Sequence, residues 1–510
     1  MVQVRGHYED AHRTLQAGTV TLTPSSPISN GTTIIAQVPV AATIVNGDAS
    51  VTVAAADDTG TLPTGMVYQV TETLDVPNGP PLLTKYNITV KSSDAAAGID
   101  LATATRVQTP VQYTTYLTQA SADARYPLLT RSARSDLGIY IPPGWGTNWK
   151  NKLAAAKAGT SQAVMATIGS SSTQGYYASN LRSKGWVDLL RANLQATYGD
   201  GGSGFRSSSL TSLFQSANGV PAAATTAYTN AGNLATLTGT WTAGAGDYGP
   251  GAYFVETTAA SATYTVSVYG TTARIFTLDG GYANWTYAVD GGAPVTVADS
   301  LGTANIRVTN ITGLTAGSAH QIVVTYAGDT VKKLSVCGIA GENASGVIVN
   351  NLARYGSRAY NYAEVDQTLG APWMAGGSYP ADLVILAHAP NEAVNNSTGD
   401  SWARWQNRIM NTVREARPDA DLMMVLPHTG KYDVGHWLYQ DYAARARGMA
   451  ESYGAALIDM WTIGKNSWNY WNTLGYWGNS ASPGATGTDN IHPGDTGHAY
   501  ISSVLLPILS

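Results

Sequence analysis

Ala163-Val164-Met165-Ala166-Thr167-Ile168-Gly169-Ser170-Ser171-Ser172-Thr173-Gln174-Gly175 is an apolar run that breaks into a glycine and serine turn, and its reading decides the fold. The run is apolar without alternation, as expected of a strand covered on both faces in a parallel sheet. A helix-like segment follows the turn. A strand end of this kind projects a hydroxyl out of the sheet, and the N–H groups that open the next segment can face an oxyanion. A nucleophile belongs at such a turn, although the lipase-type G-x-S-x-G elbow is absent.

Working outward, a helix is predicted around residues 149–157 and another over 184–198, with Trp186, Leu189, Leu190 and Leu194 on one face. The alternation stops after about residue 215. It returns with strands at 382–388, 421–427 and 455–459 and helices near 401–416, 436–453 and 496–506. About five parallel strands with helices on both faces predict a doubly wound α/β sheet, whose site lies at the carboxyl ends of its strands.

Two further stretches fall at that edge. Asp382-Leu383-Val384-Ile385-Leu386-Ala387-His388-Ala389-Pro390-Asn391-Glu392 is a buried-strand pattern ending in an amide, and Asn391 can donate to an oxyanion. Asp489-Asn490-Ile491-His492-Pro493 puts a carboxylate and an imidazole three positions apart. A carboxylate that accepts from Nδ1–H fixes the tautomer and leaves Nε2 free to take a hydroxyl proton, the back half of a serine-hydrolase triad.

Together the three blocks resemble the SGNH (GDSL-like) hydrolase family, whose order is a G-D-S-x-T-x-G turn, a loop glycine, a G-x-N-D strand end and a C-terminal D-x-x-H. The resemblance covers about residues 145–215 and 335–510. It implies that Ser171 is the nucleophile with its own N–H in the oxyanion hole. It also implies Gly356 and Asn391 as the other two oxyanion donors, His492 as the base and Asp489 as its orienting carboxylate. The chain departs from the pattern at Ser170, Ala389 and Glu392, where the family has Asp, Gly and Asp. None of these removes an atom that does chemistry.

Residues 1–110 read as an N-terminal β-sandwich for attachment, built from β-branched runs such as Gly18-Thr19-Val20-Thr21-Leu22-Thr23-Pro24 between Pro, Gly and Asn turns. Residues 111–148 form a connector, in which Leu117-Thr118-Gln119-Ala120-Ser121-Ala122-Asp123-Ala124-Arg125-Tyr126-Pro127-Leu128 resembles the short connectors of bacteriophage tail-fibre and minor tail proteins. The hydrolase is then expected in two parts, 149–220 and 336–510, with 221–335 as an inserted β-sandwich. The insert looks like a carbohydrate-binding jelly-roll module.

With 510 residues the chain is expected to hold about three domains. Only 12% of residues are charged and the net charge is -5, which disfavours nucleic acid as a partner. Cys337 is the sole cysteine, so no intrachain disulfide forms. Residues 1–10 show no apolar signal core, and no run is long and apolar enough for a transmembrane segment. No metal or organic cofactor is implied.

Trp468, Trp471 and Trp477 crowd just ahead of the Asp489/His492 loop. They suit substrate contact through flat faces, or simple loop packing, and burial decides between the two. The function expected is a serine esterase that removes O-acyl groups, acetyl above all, from a host cell-surface polysaccharide as part of a phage tail. Its partners would be a host-surface glycan or glycolipid and other virion tail proteins, in a homotrimer by resemblance to such proteins. The rival readings are a lipase-like esterase on envelope lipids and a non-catalytic receptor-binding tail adhesin on a hydrolase fold.

Overall fold

A computed structural model describes residues 1–9, 17–25, 28–29, 34–35, 39–57, 66–75, 82–107, 138–217, 222–279, 284–298, 305–328, 332–363, 381–428, 436–478 and 491–510. The chain divides into two compact units, Met1–Pro127 and Leu128–Ser510. The connector motif at 117–128 lies outside the described residues.

Two sheets of the first unit enclose one apolar core, and Ile28–Ser29 pairs with Ile34–Ile35 apart from them. One sheet runs in the order Asp48–Val53, Val2–His7, Ile99–Asp100, and the other in the order Arg106–Val107, Leu82–Ile88, Tyr68–Leu74, Gly18–Pro24, Val40–Ile44. Burial alternates strictly along Val2–His7, with Val2 and Val4 inward and Gln3, Arg5 and His7 outward. That period of two is what seals a single face of a sheet whose other face is solvated, and Val20, Leu22, Val70 and Ile88 complete the core.

In the second unit the parallel sheet consists of β1 (Ile139–Tyr140), β2 (Gln162–Gly169), β5 (Gly346–Asn351), β6 (Leu383–Ala387), β7 (Asp421–Leu426) and β8 (Ala456–Asp459). Between β2 and β5 in the chain come β3 (Gly204–Ser207) and β4 (Leu334–Glu342). The spatial order is β1-β8-β7-β6-β2-β5, parallel throughout except for the antiparallel edge strand β1. Its strands are apolar on both faces because both are covered, one by helices and the other by helices together with a sheet of the inserted region. Val164, Ala166 and Ile168 of β2 join one core and Ala163 and Met165 the other. The second core is closed by Trp149, Leu153, Trp186, Leu190 and Leu505, which come from helices at 147–157, 186–198 and 495–509. The first is closed by Trp402, Ile409 and Met410 of Gly399–Ala416 and by Tyr442 and Ala446 of His436–Tyr453.

The inserted region is a β-sandwich of two antiparallel sheets. One has the order Thr236–Thr238, Thr263–Tyr269, Ala319–Tyr326, Trp285–Val289, Val295–Val297. The other has the order Thr242–Ala243, Val255–Thr257, β4, Thr272–Asp279, Asn305–Thr312, and β3 also pairs with β4. Boundaries at 220/221 and 335/336 therefore do not describe the fold. β3 and most of β4, expected in the hydrolase parts, are strands of a sandwich sheet, and that sheet packs into one core of the parallel sheet through Phe205, Phe276, Leu278, Cys337 and Ala340. Among the described residues no helix is long and apolar enough to cross a membrane.

Candidate active site

Parallel strands end on one edge, and the sheet order puts β2 between β5 and β6. The segments leaving these three neighbours carry Ser171, Gly356 and Asn391, so the fold alone gathers them with Ser171 in the middle. Connections depart to opposite sides at such a point and leave a crevice.

Gly169 ends β2 where a Cβ would lie 2.4 Å from Thr173 Oγ1 and 2.7 Å from the Ala387 carbonyl oxygen, so only glycine lets the chain turn there. A single helical turn follows over Ser171–Gln174, with the amides of Thr173 and Gln174 donating to the Ser170 carbonyl. The turn holds Ser171 at 5% exposure with its Oγ 2.8 Å from His492 Nε2. A hydroxyl facing an imidazole nitrogen at that distance has a proton acceptor in hydrogen-bond reach.

His492 is 8% exposed and framed by three tyrosines. Tyr176 meets it edge-on at 4.7 Å, while Tyr177 and Tyr355 lie roughly parallel to it at 5.6 and 6.2 Å. Tyr177 adopts a left-handed backbone, φ 68°, which costs a bulky residue and persists where surrounding packing fixes it. Behind this group His498 is fully buried, with Nδ1 accepting from the Trp186 amide and Nε2 near the Tyr176 carbonyl oxygen at 3.1 Å. Burial pulls its pKa down to about 4. Asp489 lies outside the described residues.

The loop after β5 is a turn closed by the Ser357 amide on the Arg354 carbonyl at 3.2 Å, with Gly356 exposed at φ 72°. It is tied to the strand that leads into Ser171 twice, since the Arg354 amide and the Ser357 hydroxyl both donate to the Gly169 carbonyl, at 3.0 and 2.9 Å. Asn391 Nδ2 donates to the Ser357 carbonyl at 2.9 Å, and an amide nitrogen has a second hydrogen to give. Next to it, Glu392 is 2% exposed and its Oε1 accepts from the Ala359 amide at 2.6 Å. Burial pushes the Glu392 pKa up to about 7. His388, also buried, is pulled down to about 3 by burial first and by Arg354 second.

Thus Ser171 and His492 meet, and Asn391 meets the loop that carries Gly356. The tryptophans do not form the open platform that their position suggests. Trp471 is fully buried and Trp477 is 3% exposed, both in the apolar core, and only Trp468 is half-buried, stacked on Trp477 at 6.0 Å. Trp471 and Trp477 line a cavity of about 20 Å³ with Thr173, Met460 and Ile501, enough for a water and too small for a sugar ring. Packing claims them because the loop runs back over the sheet. The aromatic residues beside the site are instead Tyr176, Tyr177 and Tyr355. Their signal in the sequence is adjacency to the serine turn and to Gly356.

No protein-family model matches the chain. No curated protein matches it by sequence either. Among solved structures the fold is similar to that of a peptidoglycan O-acetylesterase, 20% identical, over 71% of this chain and 95% of that one, with a TM-score of 0.52. Family two carbohydrate esterases also align. That of Clostridium thermocellum, solved with cellohexaose, is 13% identical over 50% of this chain and 93% of its own, with a TM-score of 0.20. That of Cellvibrio japonicus is 12% identical over 54% and 98%, also with a TM-score of 0.20. Scores that low support no argument, and the fold shared with the O-acetylesterase is the finding.

Proposed function

We propose that this chain is an SGNH-type serine esterase that removes O-acyl groups, acetyl foremost, from a cell-surface polysaccharide. The observation that carries the reading is the 2.8 Å approach of Ser171 Oγ to His492 Nε2 at the carboxyl edge of a parallel sheet, between the segments that bear Gly356 and Asn391. Ser171 attacks the ester carbonyl as His492 takes its proton, and the imidazolium returns that proton to the leaving sugar hydroxyl. Water then repeats the cycle on the acyl-enzyme. The Ser171 and Gly356 amides and the free Asn391 hydrogen face the oxyanion, the charge that grows only in the transition state. Asp489, three residues before His492, is its orienting carboxylate in this proposal.

Tyr177 and Tyr355, both half-buried beside His492, are the faces we assign to the sugar in place of the buried tryptophans. The fold shared with a peptidoglycan O-acetylesterase favours an acetylated glycan over an envelope lipid. The connector motif supports placing the enzyme in a phage tail at the host surface, with other tail proteins as partners. The test is hydrolysis of p-nitrophenyl acetate and acetate release from O-acetylated polysaccharide by the purified chain. Ser171→Ala should abolish both, and a rate that survives this change retires the reading.

A further inference from the structure

The loop that carries Gly356 is held from outside the hydrolase sheet by one carboxylate of the inserted sandwich. Asp247 sits between Thr242–Ala243 and Val255–Thr257. Its Oδ1 accepts from Arg354 Nη1 at 2.7 Å, at the start of the loop. Its Oδ2 accepts from Asn361 Nδ2 at 2.9 Å, beyond the loop's end, and the Asn361 side-chain oxygen in turn accepts from the Arg358 amide at 2.8 Å. The same Arg354 nitrogen also donates to the Ala252 carbonyl. One carboxylate therefore clasps both ends of a segment of which the site uses every part: Tyr355 against His492, Gly356, and the Ser357 carbonyl that receives Asn391.

The clasp is built to be rigid. The Arg354 side chain is 11% exposed and that of Asp247 is 28% exposed, so the pair is largely shielded from water, where a charge-assisted bond holds its geometry best. The segment that bears Asp247 is itself pinned. Gly249 lies so close to Cys337 that a Cβ would be 2.5 Å from its Sγ, and the Ser208 hydroxyl donates to the Tyr253 carbonyl.

We propose that Asp247 is a positioning residue for the oxyanion loop, so that the inserted sandwich completes the esterase site rather than only presenting polymer to it. This rests on the esterase reading above. The sandwich then acts on kcat for substrates far too small to touch it, because loop position bears on charge that develops at the reacting carbonyl and not on ground-state binding.

The experiment measures kcat and KM for p-nitrophenyl acetate in the full chain carrying Asp247→Asn. A second variant, Asp247→Ala with Arg354→Met, leaves no buried guanidinium unpaired and guards against misfolding. The expected result is a fall in kcat of about tenfold or more, with KM within about threefold of wild type and with the pH at half-maximal kcat unchanged. A smaller fall in folded variants, or a loss that vanishes once rates are referred to the folded fraction, overturns the proposal. A wild-type chain that does not hydrolyse the ester, or whose rate survives Ser171→Ala, retires the esterase reading and this inference with it, and that result is visible before any Asp247 variant is made.

Discussion

Replacing Glu392 by glutamine should stabilise the second unit at alkaline pH and leave it unchanged in acid. Glu392 is 2% exposed, its Oε1 accepts from the Ala359 amide, and its Oε2 has no hydrogen-bond partner among the described residues. Burial is the largest influence and raises its pKa from 4.5 to about 7, against the smaller opposing pull of the Ala359 amide. Between those two values the folded chain binds the proton and the unfolded chain releases it, so stability falls as pH rises. The stabilising contribution is whole below pH 4.5 and lost above about 7. At ~1.36 kcal/mol per pH unit the interval corresponds to about 3 kcal/mol. Glutamine keeps an oxygen for Ala359 and cannot ionise. The stability of Glu392→Gln minus wild type should therefore grow from near zero at pH 4.5 to about 3 kcal/mol by pH 8. His388 acts in the opposite sense. Its lowered pKa gives stability that is present above 6.5 and lost as pH falls toward about 3, but it is common to both proteins and cancels in the difference. Urea unfolding followed by tryptophan fluorescence isolates the right unit, because the first tryptophan in the chain is Trp145. A difference that does not change with pH would refute the assignment of a buried, protonated Glu392.

Two other substitutions separate catalysis from packing. Asn391→Ala should lower kcat on p-nitrophenyl acetate by about a hundredfold with the urea midpoint little moved, since it removes the proposed oxyanion donor from a half-buried position; unchanged turnover would remove Asn391 from the site. Trp471→Ala should cost roughly 3–5 kcal/mol of stability with KM for polymer unaltered in the folded fraction, because Trp471 is fully buried against Tyr476, Trp477 and Tyr500. Lost glycan affinity at unchanged stability would restore the substrate-platform role.

Much of the parallel sheet is legible because covering a strand on both faces leaves a long apolar run. The stretches ending at Gly169, Ala387 and Leu426 say as much, and each observed strand lies within a residue or so of its expected span. The gathering of Ser171 with the segments that bear Gly356 and Asn391 follows from parallel order, which sends the carboxyl ends of β2, β5 and β6 to one edge. What is not legible is which face of a loop looks inward. Trp468-Asn469-Tyr470-Trp471 reads the same whether its rings face a sugar or a core, and only the short helix Trp468–Thr473 lying on Tyr500 and Trp477 decides. Asp247 is equally silent in sequence, more than a hundred positions from Arg354, because nothing local marks a carboxylate as the partner of a distant guanidinium.

The strand β4 explains why the insert is not an appendage. Leu334, Val336 and Ile339 point into the sandwich core, and Cys337 and Ala340 point into a core of the parallel sheet, so every residue of β4 is buried. Its neighbour Thr272–Asp279 does the same, with Ala273 and Ile275 on one side and Phe276 and Leu278 on the other. A sheet apolar on both faces cannot be exposed on either without uncovering side chains such as Phe276 at a cost of about 1.5–3 kcal/mol each. β4 then passes by way of the short segment after Glu342 into β5, which lies against β2, the strand that ends at the Ser171 turn. The sandwich is thus an outer layer of the parallel-sheet domain, covering the side on which Ile168 and Leu352 lie. Such a layer has no need of a flexible linker, and a side chain on it, Asp247, can reach the loop after β5 with a geometry fixed by the same packing that makes the layer inseparable.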